Sequence, residues 1–279
     1  LSALKRLSKT IVTVTLACSA SVTLMVHAIA AQPLKLRHTV YLGGLYLGSV
    51  TTDIEQSDNN YLIRTDVVSS EGMSWLFKWT AKGVSQGAFD QDKLTPVLHS
   101  HLSQWKDKKR GADLSFNETG DVSASLVGKK YTDLKKYTPV DPASLKGSMD
   151  PLSMILAALS RYEETGSCSG FYPVYDGRRR YDVLLSDGGV RQFNSSSYSV
   201  FAGEAYGCRF DVVEKGGFRR EKSYEIEDPS DLVVWVAAPA ANARPVPVRM
   251  EVKTSFGMLE LHLDKYDFGD LQLASKNSR

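Results

Sequence analysis

Residues 168–183, CSGFYPVYDGRRRYDV, and residues 206–218, YGCRFDVVEKGGF, decide how this chain reads. Both are short, aromatic and punctuated by glycine, a composition that suits strands and turns better than a helix. Asp176-Gly177 is a hairpin signal between Tyr175 and Arg178, with a bulge as the alternative. Each stretch carries one cysteine. Cys168 and Cys208 are expected to form a disulfide, which closes a loop of 41 residues and adds about 4 kcal/mol in the chain-entropy model. A reactive thiol would need a positive or imidazole neighbour. Arg209 is adjacent, but no histidine lies between the two cysteines.

The disulfide expectation depends on compartment, and the N-terminus speaks to that. Lys5, Arg6 and Lys9 precede an uncharged apolar run from Ile11 to Val26, and Ala28-Ile29-Ala30 follows with small residues. Positive, apolar and small-residue zones in that order predict a secretory signal peptide over residues 1–30, cleaved near Ala30. An uncleaved anchor and a lipidated Cys18 are the alternatives. The Ser and Thr content of the run argues against the first, and Thr15-Leu16-Ala17 fits a lipobox poorly. The expected location is the periplasm, with membrane contact only through the signal before cleavage. Of 34 basic and 32 acidic residues in the whole chain, three basic and no acidic ones fall in this segment. The remainder has a formal charge of −1, which gives no reason to expect nucleic-acid binding.

Outward from the cysteine segments, the pattern stays β-rich. Lys35–Gln56 alternates around Gly43-Gly44, a tight-turn signal, and further strand-like runs follow at Tyr61–Val68, Trp75–Val84, Pro96–Gln104, Gly111–Phe116 and Asp121–Val127. Strand signals resume over Gly170–Leu185, Tyr198–Val213, Leu232–Ala237, Val246–Lys253 and Gly257–Tyr266. One segment breaks the series. Asp150 is an N-cap, Pro151 suits the first helical position, and Leu152, Ile155, Leu156 and Leu159 fall on one helical face. The expected fold is mainly β: a curved antiparallel sheet, barrel-like or spiral, wrapped around this one short helix. Residues 31–268 read as a single domain and 269–279 as a disordered polar tail.

Chemistry is sparse. His99-Ser100-His101 places two imidazoles on one strand face, but two ligands make no metal site, and surface or hydrogen-bonded histidines are expected instead. Arg178 and Arg180, with Arg219 opposite, are the candidates for holding an anion, against a solvated or salt-bridged reading. Trp75, Trp79, Met154 and Tyr175 are the candidate lining of a ligand-holding concavity, against core packing. No nucleophile elbow, zincin helix, phosphate loop or dinucleotide fingerprint occurs. Ser, His and Asp residues are present, but no spacing groups them. No catalytic residue, cofactor or metal is expected.

The hairpin YLGGLYLGSV (Tyr41–Val50), the helix DPLSMILAAL (Asp150–Leu159), the Cys168–Val183 block, YGCRFDV (Tyr206–Val212) and PVPVRMEVKTSFGMLEL (Pro245–Leu261) occur in that order. Together they resemble the bacterial envelope proteins grouped as domain of unknown function 3108 (DUF3108), over about Leu34 to Asp267. The resemblance implies an exported, mostly β protein of Gram-negative bacteria with no assigned activity and no catalytic residues to carry over. The expected function is a non-enzymatic periplasmic protein that binds an apolar or amphipathic envelope ligand, such as a lipid or acyl chain, and serves envelope maintenance. An interaction protein docking on cell-wall or outer-membrane partners is the alternative, and an envelope hydrolase the third possibility.

Overall fold

Period-two alternation and glycine turns build two antiparallel meanders, which the structure, a computed structural model, joins into one sheet. Residues 32–278 are described, apart from 74–77, 91–92, 130–132 and 222–231. The expected signal peptide and Trp75 lie outside the described residues. The first meander is β1 (Leu34–Leu42), β2 (Leu45–Gln56), β3 (Asn60–Ser69), β4 (Trp79–Asp90), β5 (Lys93–Trp105), β6 (Lys108–Phe116) and β7 (Val122–Val127). The chain then forms α1 (Pro151–Thr165). The second meander is β8 (Gly170–Tyr175), β9 (Arg180–Phe193), β10 (Gly203–Gly216), β11 (Val233–Ala237), β12 (Val246–Thr254) and β13 (Gly257–Phe268). Antiparallel pairing of β1 with β13 joins the two halves, so that β7 and β8 are the outer strands of a large curved sheet.

The sheet does not close. Where its two ends meet, the β8–β9 turn lies against β6 and β7, and a side chain substitutes for a ladder. Arg178 donates to the carbonyls of Gly111 (2.8 Å), Val127 (2.6 Å) and Lys129 (3.4 Å). Gly177 makes this approach possible. It adopts φ +88°, and a Cβ there would lie 2.4 Å from Ala112 Cβ.

α1 lies on the concave face. Asp150 caps it by accepting from Leu152 N and Ser153 N at 3.0 Å each, and Gly166 ends it in a left-handed conformation with its N–H bonded to Tyr162 O. Leu156 enters the main core with Leu34, Leu36, Ile54, Ile63 and Leu263, while Met154 packs on Tyr172, Val174, Val183 and Leu185. The expected apolar stripe is only partly right. The most buried helix side chains are Ser153, Met154 and Leu156, and Ile155 is 43% exposed. The helix is wedged between strands of both meanders, so its burial follows the curved sheet rather than a single flat face.

The tail is a second correction. Instead of fraying, Leu271–Ala274 forms β14, which pairs with β13 beyond the point where β12 stops. Asp264 anchors the residues after β14: Ser275 Oγ donates to it at 2.5 Å and Ser278 Oγ at 3.0 Å, while Arg37 pairs with it from the other side at 2.6 Å. A polar tail folds when it meets a buried carboxylate that needs donors.

Buried histidines make the fold sensitive to acid. His262, on the convex face beside Arg249, is pushed down to about 4 by burial and by that guanidinium. Burial also lowers His38, which bonds Pro247 O. A histidine with a lowered folded-state pKa stabilises fully above its unfolded value near 6.5, and that contribution is lost as pH falls towards the folded value. Unfolding midpoints measured from pH 7 down to pH 4 should therefore fall steadily. His262→Gln should flatten this slope, and an unchanged slope would refute the assignment.

Candidate functional site

β1, β2 and β3 each carry their inward side chains from a buried end to a half-open end. On β1 the inward series runs from buried Leu34 and Leu36 to half-buried Val40 and Leu42. On β2 it runs from Ile54 to Val50, and on β3 from Tyr61 and Ile63 to Val67. β13 repeats the gradient from Leu263 to Leu261, and Met250 of β12 pairs with Leu261 on the same face. α1 fills one end of the concavity and leaves an apolar trough at the other; Leu152 lies against Gly83 of β4, and exposed Ile155 shares a crevice with Val234, the cross-strand neighbour of Met250. Trp79 and Trp105 pair at the trough's far end on this same face, Trp79 half-buried and Trp105 49% exposed.

Of the predicted lining residues that are described, Trp79 is placed on this trough. Met154 and Tyr175 are packed into the core, Tyr175 against Ala112, Leu114 and Phe116 with its hydroxyl donating to Gly177 O. They face the filled end, so they support the helix and the edge contact. The arginines are not gathered into a fork. Arg178 is committed to backbone carbonyls, and Arg180 donates to Ser144 O, Tyr181 O and Asp182. Arg219 sits on an exposed bridge to Tyr137. Cys168 and Cys208 are joined with Cα atoms 5.4 Å apart. Beside them a small apolar crevice of about 40 Å³, lined by Ile155, Leu159, Phe210 and Val234, separates α1 from the second meander.

Folding gathers one set of residues that no spacing announced. Ser85 of β4, His99 of β5 and Asp150 converge beneath the helix, all buried. Ser85 Oγ donates to Asp150 Oδ1 at 2.6 Å, and His99 Nδ1 lies 2.7 Å from Ser85 Oγ and 3.1 Å from Asp150 Oδ1. Ser153 Oγ donates to Asp150 Oδ2 at 2.5 Å, and Tyr61 bonds Ser153 at 2.7 Å. Burial alone would raise the Asp150 pKa, but bonds and charge from His99, with Ser153 and Ser85, outweigh it and hold the carboxyl below its usual range. The residue types are those of a hydrolase triad, but the geometry differs. Serine and aspartate meet the same imidazole nitrogen, and His99 Nε2 faces His101 Nδ1 at 3.1 Å. The ring cannot take a proton from serine on one side while aspartate steadies the other. The cluster anchors the helix cap to the sheet.

The two histidines are hydrogen-bonded, as expected, and among the described residues no group of three or more His, Cys, Asp or Glu side chains is placed to hold a metal. No described helix is long and apolar enough to cross a membrane.

No curated protein matches the chain. Among solved structures it is similar to a beta-barrel-like protein of domain of unknown function DUF1849 from Brucella abortus, at 12% identity and a TM-score of 0.49. That match covers 87% of this chain and 100% of the other. The family model for DUF3108, described as protein of unknown function, matches residues 37–264. The chain belongs to the DUF3108 family.

Proposed function

We propose that this is an exported, non-enzymatic protein of the periplasm that holds an apolar or amphipathic envelope ligand in the trough beside α1. The observation that carries this reading is the half-buried apolar band of Val40, Val50, Val67, Leu261 and Met250, which Ile155 adjoins through Val234, the neighbour of Met250. Each methylene that enters such a band gains about 0.8 kcal/mol, so a lipid or acyl chain is a fitting occupant. The export-signal pattern and the Cys168–Cys208 pair support the location, because disulfides persist in oxidising compartments. The non-enzymatic part rests on the burial and geometry of Ser85, His99 and Asp150.

Native mass spectrometry of protein recovered from periplasm, together with titration of a fluorescent fatty acid, tests the reading. The wild type should carry or take up an amphiphile. Ile155→Glu puts a charge at this exposed helix position, and Ile155→Trp fills the space. Both should weaken uptake at least tenfold with little change in unfolding midpoint. Repeated recovery without ligand and no uptake by the wild type would end the proposal.

A further inference from the structure

Antiparallel alternation brings the turns Gly43-Gly44, Lys106-Asp107 and Ser255-Phe256 to one end of the sheet, the end towards which the trough opens. Gly43 N–H donates to Met258 O, so the first and last of these turns lie side by side. Their tips are apolar and uncovered: Phe256 is 77% exposed, Leu45 52%, and Met258 is also exposed. Exposed apolar tips on adjacent turns need a partner.

The same end is strongly basic. Lys78, Lys106, Lys108, Lys109, Arg110 and Lys129 are all exposed, and none makes a salt bridge among the described residues. Lys106 N–H donates to Lys78 O, which ties two of these positions together beside Trp79 and Trp105. In the described turns of the first meander at this end the acids are Glu71 and Asp107; the β8–β9 turn adds Asp176, which pairs with Arg179. A chain whose charge beyond residue 30 sums to −1 therefore concentrates positive charge on the first-meander part of the end that also exposes Phe256 and Leu45.

The geometry points to this end of the sheet as a docking surface for an anionic lipid bilayer. Lipid phosphates would meet the lysines and Arg110. Tryptophan prefers the headgroup level, and Phe256 and Leu45 would enter the acyl boundary. A soluble polyanion satisfies the cations but offers no medium for the apolar tips. Docking needs no ligand in the trough. If the trough reading also holds, its mouth would face the lipid.

Vesicle flotation of the full exported protein tests this. Binding to phosphatidylglycerol–phosphatidylethanolamine vesicles should exceed binding to phosphatidylcholine vesicles, weaken with added salt, and shift tryptophan fluorescence to the blue. Each cation removed near a bilayer lowers partitioning by about fivefold, so K106E/K108E/R110E should lose at least about a hundredfold. Phe256→Ser should lose at least about tenfold. All four positions are exposed, and an unchanged unfolding midpoint confirms intact folding. Fatty-acid uptake in vesicle-free solution should be unaffected in Phe256→Ser, which lies outside the trough, and this separates the inference from the trough reading. Equal binding to neutral vesicles, retained binding by the triple variant, or tight binding to heparin without vesicle binding would each overturn it.

Discussion

Asp150→Ala should lower the unfolding free energy by about 3–5 kcal/mol, the upper range for a single substitution that breaks a buried hydrogen-bond network and leaves its donors unsatisfied. Asp150 is completely buried and accepts from Ser85, Ser153 and two backbone amides, with His99 alongside. Alanine would strand those donors in a buried site and remove the helix cap, itself worth about 1 kcal/mol. The loss is central because the same carboxylate fastens α1 to β4 and β5, and through Ser153 and Tyr61 to β3. Asp150→Asn keeps an acceptor for the cap and should lose less. The gap between wild type and Asn should also narrow in acid. A carboxylate with a lowered folded-state pKa stabilises fully above its unfolded value near 3.9, and loses that contribution as pH falls through the folded one. Urea unfolding followed by far-UV circular dichroism measures both. A loss below about 1 kcal/mol for alanine would show that the helix is held by packing alone.

Removal of the disulfide should have a comparable effect through the unfolded state. Cys168 follows the end of α1 and Cys208 lies in β10, so the bond ties the helix exit to the second meander across a sequence separation of 40. Cys168→Ser with Cys208→Ser should destabilise by about 4 kcal/mol. Both sulfurs are buried against Leu159, Tyr162 and Val236, so the serine hydroxyls would add a desolvation cost. Reductant should lower the wild-type midpoint to near that of the double variant and leave the variant unchanged. Fatty-acid uptake should survive at temperatures where the variant stays folded. Loss of uptake without loss of stability would show that the bond shapes the trough rather than clasping the fold.

Local features of the fold are legible because local sequence controls them. Asp150-Pro151 and Gly166 bound the helix as expected, and Asp176-Gly177 and Gly43-Gly44 turn hairpins. The strand bounds differ most where regular alternation is weak. The run expected over Trp75–Val84 continues to Asp90, and the one expected from Tyr198 begins at Gly203. The cysteines are legible as a pair, since Cys168 and Cys208 are the two thiols of the sequence beyond residue 30.

The candidate site is less legible. Trp79 lies on the concave face, paired with Trp105, whereas residue type alone points to Met154 and Tyr175 as lining. Type does not say which end of a concavity the helix will fill. Arg178 shows the limit most clearly. Its neighbours suggest a solvated cation, yet its partners are carbonyls 51 and 67 residues earlier in the chain.

By itself, then, the sequence determined the fold class, the single helix with its caps, the turns and the cysteine pairing. These depend on periodicity, on φ-permissive residues and on the count of thiols. Only the tertiary structure decided that Ser85 and His99 gather beneath the Asp150 cap, that Ile155 shares an apolar crevice with Val234, and that exposed lysines share one end of the sheet with Phe256. Those neighbours are set by strand register and sheet curvature, which couple residues far apart in the chain through pairings that no short stretch encodes.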